Sequence, residues 1–435
     1  MGESTSGEIE VTRRSELADE AIALRLAGLE PGRRVKVRAS MSDDDGVEWV
    51  SKALFEAGDS GVVDLWEARP ISGTYDKADP TGFIWSMKPV SDKKVLSAFS
   101  KHTLDPDIIT ITAEVDGKPA ASKVIERVYS LPGVERAPLD EEGLVGTFFR
   151  QATEEPRPGI MVLGGSDGSI REDYAAVLAS RGYTTLALGY FSLEGLPEEL
   201  VNIPLEYFER AMKWMAERDE VQGERIGIIG KSKGAELALL LGATFEKVKA
   251  VVSIVGSGLV FQGIHKDPHN RDQQSSWTWR GQPVPFLPFG FSFSMFARIF
   301  WKKLLGKPAP TRDMYLSAMK DEESAARAAI EVQDTKGPIL LISGEDDDIW
   351  PSSRLSQRVI DRLEQRGHPY DDEHLRYKGA GHGFGLPHRP TSVNQLFEPP
   401  YMILPFGGDP ESNARACAEA WSRIVEFLGD NLQPD

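Results

Sequence analysis

Hydrophobic positions follow two different rhythms along this chain. In the first ~130 residues they recur mostly every second position: Val35, Val37, Ala39 and Met41 alternate with polar neighbours, as in a strand with one face buried. Further strand-like runs occur at Val47–Phe55, Gly61–Glu67, Ile108–Val115 and Ser122–Tyr129. Turn signals stand at Asp43–Gly46 and at Asp116-Gly117. No long helical period interrupts them, and short strands with regular turns predict a β-sandwich.

From Leu139 the rhythm changes to short apolar runs alternating with 3.6-residue periods, the pattern of a parallel sheet with helical crossovers. Strands are expected at Gly159–Leu163, Thr184–Leu188, Ile226–Ile229, Ala250–Val255, Ile339–Ile342 and His374–Tyr377. Helices are expected at Arg171–Arg181, Leu205–Arg218, Ser353–Arg366 and from about Ala414 to Leu428. The expected division is residues 1–136 as the sandwich and 137–435 as an α/β domain. An aromatic-rich cap or insert, about 257–312, breaks the second pattern with Trp277, Trp279, Phe286, Phe289, Phe291, Phe293, Phe296, Phe300 and Trp301. It reads either as a packing insert or as a cap over an apolar pocket; a membrane-surface patch near Lys302-Lys303 is a third reading.

Composition narrows the function. With 435 residues, 40% hydrophobic and 27% charged, the chain has the make-up of a soluble globular protein of two or three domains. A formal net charge of −17 argues against nucleic acid as a partner. The single cysteine, Cys417, excludes a disulfide framework and reads as a small buried residue. The apolar stretch Phe286–Leu305 is too interrupted to span a bilayer, and MGESTSGEIE at the N-terminus resembles no export signal. A cytoplasmic enzyme without stable membrane insertion is expected; the sequence leaves its oligomeric state open.

The chemistry begins at Gly230-Lys231-Ser232-Lys233-Gly234, a G-x-S-x-G between a predicted strand and a helix-forming run. In such an elbow the glycines allow a strained serine to pack tightly, and the hydroxyl projects above the sheet. A serine needs a base, and the base an orienting carboxylate. Both follow in the order Ser, acid, His, each just after a later strand. SGEDDD at Ser343–Asp348 offers Asp347 by its G-x-x-D spacing, with Asp346 second. Gly379-Ala380-Gly381-His382-Gly383 offers His382; His388 is a weak alternative, and His368 and His374 are expected at the surface. An oxyanion hole is expected from the N–H of Lys233 and one from the loop Gly164–Gly168, where Ser166 is slightly favoured over Gly165. Lys231 and Lys233 are either a lure for an anionic substrate or solvated flanking residues. No metal-ligand cluster stands out.

Together these stretches resemble the acyl-CoA thioesterases that share ancestry with bile acid-CoA:amino acid N-acyltransferase. The likeness rests on GLEPGRRVKV (Gly28–Val37), Trp49–Ala57, Gly73-Thr74-Tyr75, DPTGFIWSM (Asp79–Met87), GYTTLALGYF (Gly182–Phe191) and Pro204–Phe208. It continues through GKSKGAE, SGEDDDIWPSS (Ser343–Ser353), GAGH (Gly379–His382), EPPY (Glu398–Tyr401), GGDP (Gly407–Pro410) and AEAWSRIVEFL (Ala418–Leu428). It implies an immunoglobulin-like sandwich before an α/β-hydrolase, with the triad on Ser232, Asp347 and His382. Because the amino-acid-conjugating members look to carry cysteine at position 232, the serine implies acyl-CoA hydrolysis, with no cofactor beyond the CoA of the substrate. Two departures are the Ser and Asp within Gly164–Ser169 and the additional GFGLPHRPTSVNQLF after His382, which is expected to reshape the acyl pocket. Rival readings are an oxygen-ester or peptide hydrolase with the same triad, an N-acyltransferase, and a non-catalytic binding protein.

Overall fold

The apolar runs of the second half gather into one sheet whose inner strands, such as Thr184–Gly189 and Ile339–Gly344, are buried on both faces, which only flanking helices can provide. The structure is a computed structural model and describes residues 7–92, 96–141, 143–153, 155–267, 270, 272–290, 293–398 and 402–432. Pro399–Tyr401 of the EPPY motif, Phe291 and the chain ends lie outside the described residues.

Two compact units divide the chain, though not by a single cut. The first takes residues 1–131, 385–397 and 409–418; the second takes 132–384, 398–408 and 419–435. The expected division is a single cut at 136/137, near the first of these boundaries. The GFGLPHRPTSVNQLF segment, expected near the acyl pocket, mostly belongs to the first unit. Its polar groups are satisfied there: Thr391 N–H donates to Trp85 O at 3.0 Å, and Gln395 Nε2 to Leu96 O at 2.8 Å.

In the first unit, antiparallel strands form two sheets, the immunoglobulin-like β-sandwich. One joins Glu8–Thr12, Ala23–Ala27 and Val63–Asp64. The other is built on Glu48–Glu56, Arg34–Ser42, Asp107–Val115 and Lys118–Arg127. Alternation along Arg34–Ser42 buries Val35, Val37, Ala39 and Met41, as the period-two pattern requires. Trp49, Phe55 and Ile84 complete a continuous apolar core. The run Gly61–Glu67 is strand only at Val63–Asp64.

Among the described residues, the main sheet of the second unit has eight strands: β1 Val134–Glu141, β2 Leu144–Gln151, β3 Arg157–Leu163, β4 Thr184–Gly189, β5 Val221–Lys231, β6 Val248–Ile254, β7 Ile339–Gly344 and β8 Glu373–Tyr377. Their order is β1-β2-β4-β3-β5-β6-β7-β8. β2 runs antiparallel to both β1 and β4, and all later neighbours are parallel. The helix Lys233–Thr244 follows β5 and is buried from Lys233 through Gly242, so it lies inside the unit with no solvated stripe. The aromatic-rich segment at about 257–312 contains the helix Phe293–Leu304, and the helices Arg312–Ala318 and Glu322–Arg327 follow it. Its buried aromatics, Phe261 and Trp277, pack inside the unit; Phe300 and Trp301 do not.

Candidate active site

The elbow forms because β5 must turn into its helix within one residue. Ser232 takes φ +56° and ψ −119°, a region costly to a side-chain-bearing residue and kept only where its surroundings enforce it. Those surroundings are glycines. A Cβ on Gly230 would lie 2.0 Å from the Gly234 carbonyl oxygen, and one on Gly234 2.1 Å from that of Gly164. Neither can carry a side chain. Ser232 N–H also donates to Ile254 O at 2.8 Å, pinning the turn to the end of β6.

Two later loops meet this serine. His382 Nε2 stands 2.9 Å from Ser232 Oγ, and His382 Nδ1 2.8 Å from Asp347 Oδ2. A carboxylate can only accept, so Nδ1 carries the proton and Nε2 is left to accept from the serine hydroxyl. Asp347 is wholly buried; its other oxygen accepts the N–H groups of Ile349 at 2.9 Å and Trp350 at 3.2 Å. Asp346, the second choice, is exposed. His388 lies in the first unit, its carbonyl accepting from Arg127 Nη1 at 2.7 Å, and burial pushes its imidazole down to about 3.

His368 and His374 correct the expectation of surface sites. His368 is bonded to Asp372 at 2.5 Å and to Thr335 O at 3.0 Å, its side chain only 1% exposed. His374 lies 2.8 Å from Ser343 Oγ, and burial lowers its pKa to about 4.

The acid and histidine loops are stitched together by residues to which sequence reasoning assigned no role at the site. Segment 402–408 bridges Asp347 to Gly407 and Ala380 to Gly408, and Phe406 O accepts from His382 N–H at 2.7 Å. This is the structural meaning of the GG in GGDP: Gly407 sits at φ +80°, and a Cβ there would lie 2.0 Å from Asp346 O. Arg312 Nη1 donates to the carbonyls of Glu345 at 3.1 Å and Asp347 at 3.3 Å. Trp350 meets the His382 ring edge-to-face at 6.1 Å and is held by its own Nε1–H to Val255 O at 2.8 Å. Burial and the adjacent Asp347 charge push the Asp348 carboxyl up, opposed by Arg312 and Lys302.

Around the serine hydroxyl, Lys233 opens the following helix, so its backbone N–H has no acceptor within the helix. The loop after β3 lies against the elbow: a Cβ on Gly165 would be 3.4 Å from both Ser232 Cβ and Lys231 O. Ser166 is exposed. Tyr190 fixes that loop, its hydroxyl donating to Gly164 O at 2.7 Å.

The Lys233 side chain overturns both expectations held for it. Its ammonium is buried on Glu236, 2.7 and 2.9 Å from the two carboxylate oxygens, and donates a third bond to Phe261 O at 3.0 Å. Glu236 is wholly buried and also accepts from Trp277 Nε1 at 3.0 Å and Phe261 N–H at 3.3 Å. Burial pushes the lysine pKa down and the glutamate pKa up, while the pair's attraction opposes both shifts. This network ties the elbow helix to the segment after β6. The i,i+3 spacing of Lys233 and Glu236 was the available signal. A cavity of about 610 Å³ bordered by Lys213, Phe245 and Lys249 opens at the far end of that helix from Ser232.

A glycine-pinned serine at the end of β5, in a sheet of this order, makes the second unit an α/β-hydrolase. Residues 203–434 match the family region described as BAAT / Acyl-CoA thioester hydrolase C terminal, and residues 19–141 its acyl-CoA thioester hydrolase/BAAT N-terminal region. The chain belongs to this family. Among its relatives in Mus musculus, bile acid-CoA:amino acid N-acyltransferase is 31% identical over 434 residues, 97% of each chain. Peroxisomal succinyl-coenzyme A thioesterase is 29% identical over 429 residues, 98% of this chain and 96% of the relative. Acyl-coenzyme A thioesterase 5 is 26% identical over 425 residues, 96% and 94% respectively.

Proposed function

We propose that the protein is a serine thioesterase that hydrolyses acyl-CoA to a carboxylic acid and CoA. The reading rests on the hydrogen-bonded line Ser232–His382–Asp347 in a chain of this family. Ser232 Oγ attacks the thioester carbonyl while His382 Nε2 takes its proton, and buried Asp347 stabilises the imidazolium. The oxyanion is held by Lys233 N–H and a second N–H from the loop carrying Gly165 and Ser166. Collapse of the tetrahedral intermediate breaks the C–S bond, and the imidazolium protonates the departing CoA sulfur. Water, deprotonated by the same histidine, then attacks the acyl-serine and regenerates Ser232.

A panel of acyl-CoAs assayed for free thiol tests this. Wild type should release CoA, and Ser232→Ala should lose on the order of 10⁴-fold or more of that activity. Retained activity would end the proposal. Acyl transfer is the second reading, favoured by the N-acyltransferase among the relatives. Product analysis with glycine present separates the two: free acid supports hydrolysis, and N-acylglycine supports transfer. A side-by-side assay of p-nitrophenyl esters tests the oxygen-ester alternative. A cytoplasmic place of action is part of the proposal and is tested by cell fractionation, since one relative is named as peroxisomal.

A further inference from the structure

The geometry points to the helix Phe293–Leu304 and the turn after it as a docking surface for an anionic lipid membrane. Four large apolar side chains stand in solvent within six positions: Phe300 is 53% exposed, Trp301 59%, Leu304 64% and Leu305 61%. Phe300 with Leu304, and Trp301 with Leu305, are four residues apart and share a face. The opposite side already anchors the helix, with Met295 buried and Ile299 half-buried. The exposed face is thus not needed to hold the element down. Single apolar residues on a surface need no explanation, but a contiguous patch of this kind marks an interaction site.

Charge selects the occupant. Between Asp272 and Asp313 the sequence has no Asp or Glu and six cations, Arg280, Arg298, Lys302, Lys303, Lys307 and Arg312, within a chain of net charge −17. Arg298 is paired with Asp313 and Lys302 acts on Asp348, while Lys303 and Lys307 stand exposed within and just beyond the apolar stretch. An aromatic and leucine face bordered by lysines fits the boundary between acyl chains and anionic headgroups. A second copy of the chain, joined symmetrically here, would bring two like-charged stretches together. The position also suits the chemistry. Beyond Leu305 the chain reaches Thr311 and Arg312, whose backbone N–H groups both donate to Asp348 O at 3.1 Å, beside Asp347. The docking surface therefore leads directly into the acid loop of the candidate site.

The test is flotation of the full chain with vesicles of phosphatidylcholine alone or mixed with phosphatidylglycerol. Wild type should float with the mixed vesicles at low salt, and at least about tenfold less with phosphatidylcholine or at high salt. Trp301→Ser/Leu304→Ser and Lys303→Glu/Lys307→Glu should each weaken flotation about tenfold or more, while circular dichroism and hydrolysis of a water-soluble short-chain ester stay at the wild-type level. Failure of wild type to float, or flotation equal in all three proteins, overturns the proposal. So does a wild-type dimer that Trp301→Ser/Leu304→Ser makes monomeric with vesicle binding unchanged, since the patch would then face a second copy. Loss of ester hydrolysis without any loss of flotation would instead make the helix a lid over the site.

Discussion

Removing the Lys233 ammonium while keeping its bulk, as in Lys233→Met, would leave the Glu236 carboxylate buried with no counter-charge. Its other donors are the Trp277 Nε1–H at 3.0 Å and the Phe261 N–H at 3.3 Å, neither of them charged. Breaking a buried pair on one side costs about 3–5 kcal/mol, because the remaining charge must stay ionised in a low dielectric or take up a proton. Adding Glu236→Gln removes that charge and keeps one acceptor oxygen for an N–H. The double variant should therefore recover about 2 kcal/mol or more of the loss, the remainder being one N–H left unpaired at about 1–3 kcal/mol. Equilibrium urea unfolding, fitted with one transition for each of the two units, measures both differences. A single variant within about 1 kcal/mol of wild type, or a double variant no more stable than the single one, would refute the reasoning, since uncompensated charge would not then be the source of the cost.

Asp347→Asn should keep the fold but lose the acceptor that fixes the His382 tautomer, lowering kcat on the order of 10⁴-fold in an acyl-CoA assay. Gly234→Ala places a methyl 2.1 Å from Gly164 O, so it should yield no soluble folded protein, as circular dichroism and recovery would report. Trp350→Ala removes the ring beside His382 and the bond to Val255 O, and should cost about 3–5 kcal/mol in urea unfolding. In the first unit, burial would raise the Asp44 pKa, but hydrogen bonds from Lys101 and from the backbone of His102 and Thr103 hold it at about 2. A carboxyl with a lowered folded-state pKa stabilises above its unfolded value near 3.8, and the contribution is lost as pH falls towards about 2. Lys101→Met should flatten that part of the stability profile, measured by thermal unfolding between these pH values.

What was legible in the sequence was whatever local pattern decides. Ile226–Ile229 and Ile339–Ile342 announce buried strands because every residue is apolar, and Arg34–Ser42 a half-buried one because alternate residues are. Ser232, Asp347 and His382 could be picked out because elbow glycines and loop-after-strand positions leave local traces. Strands β1 and β2 leave no clear period because Val134–Gln151 mixes its apolar residues with charges and a proline. What depended on distant partners was hidden. Nothing near residue 391 says that its backbone will pair with Trp85, and nothing in the elbow says that its helix is buried on every side. That burial turns Lys233 from a surface lysine into an interior one. His368 carries a fainter clue in Asp372, four residues on in the loop after the helix.

The account depends on one hydroxyl being activated by one imidazole. Stoichiometric labelling with a fluorophosphonate, followed by peptide mass spectrometry and a parallel acyl-CoA assay, addresses that directly. The adduct should map to Ser232, form more slowly when acyl-CoA is present, abolish CoA release in proportion to labelling, and be missing in His382→Ala. Label on a different residue, or full CoA release from protein labelled at Ser232, would contradict it.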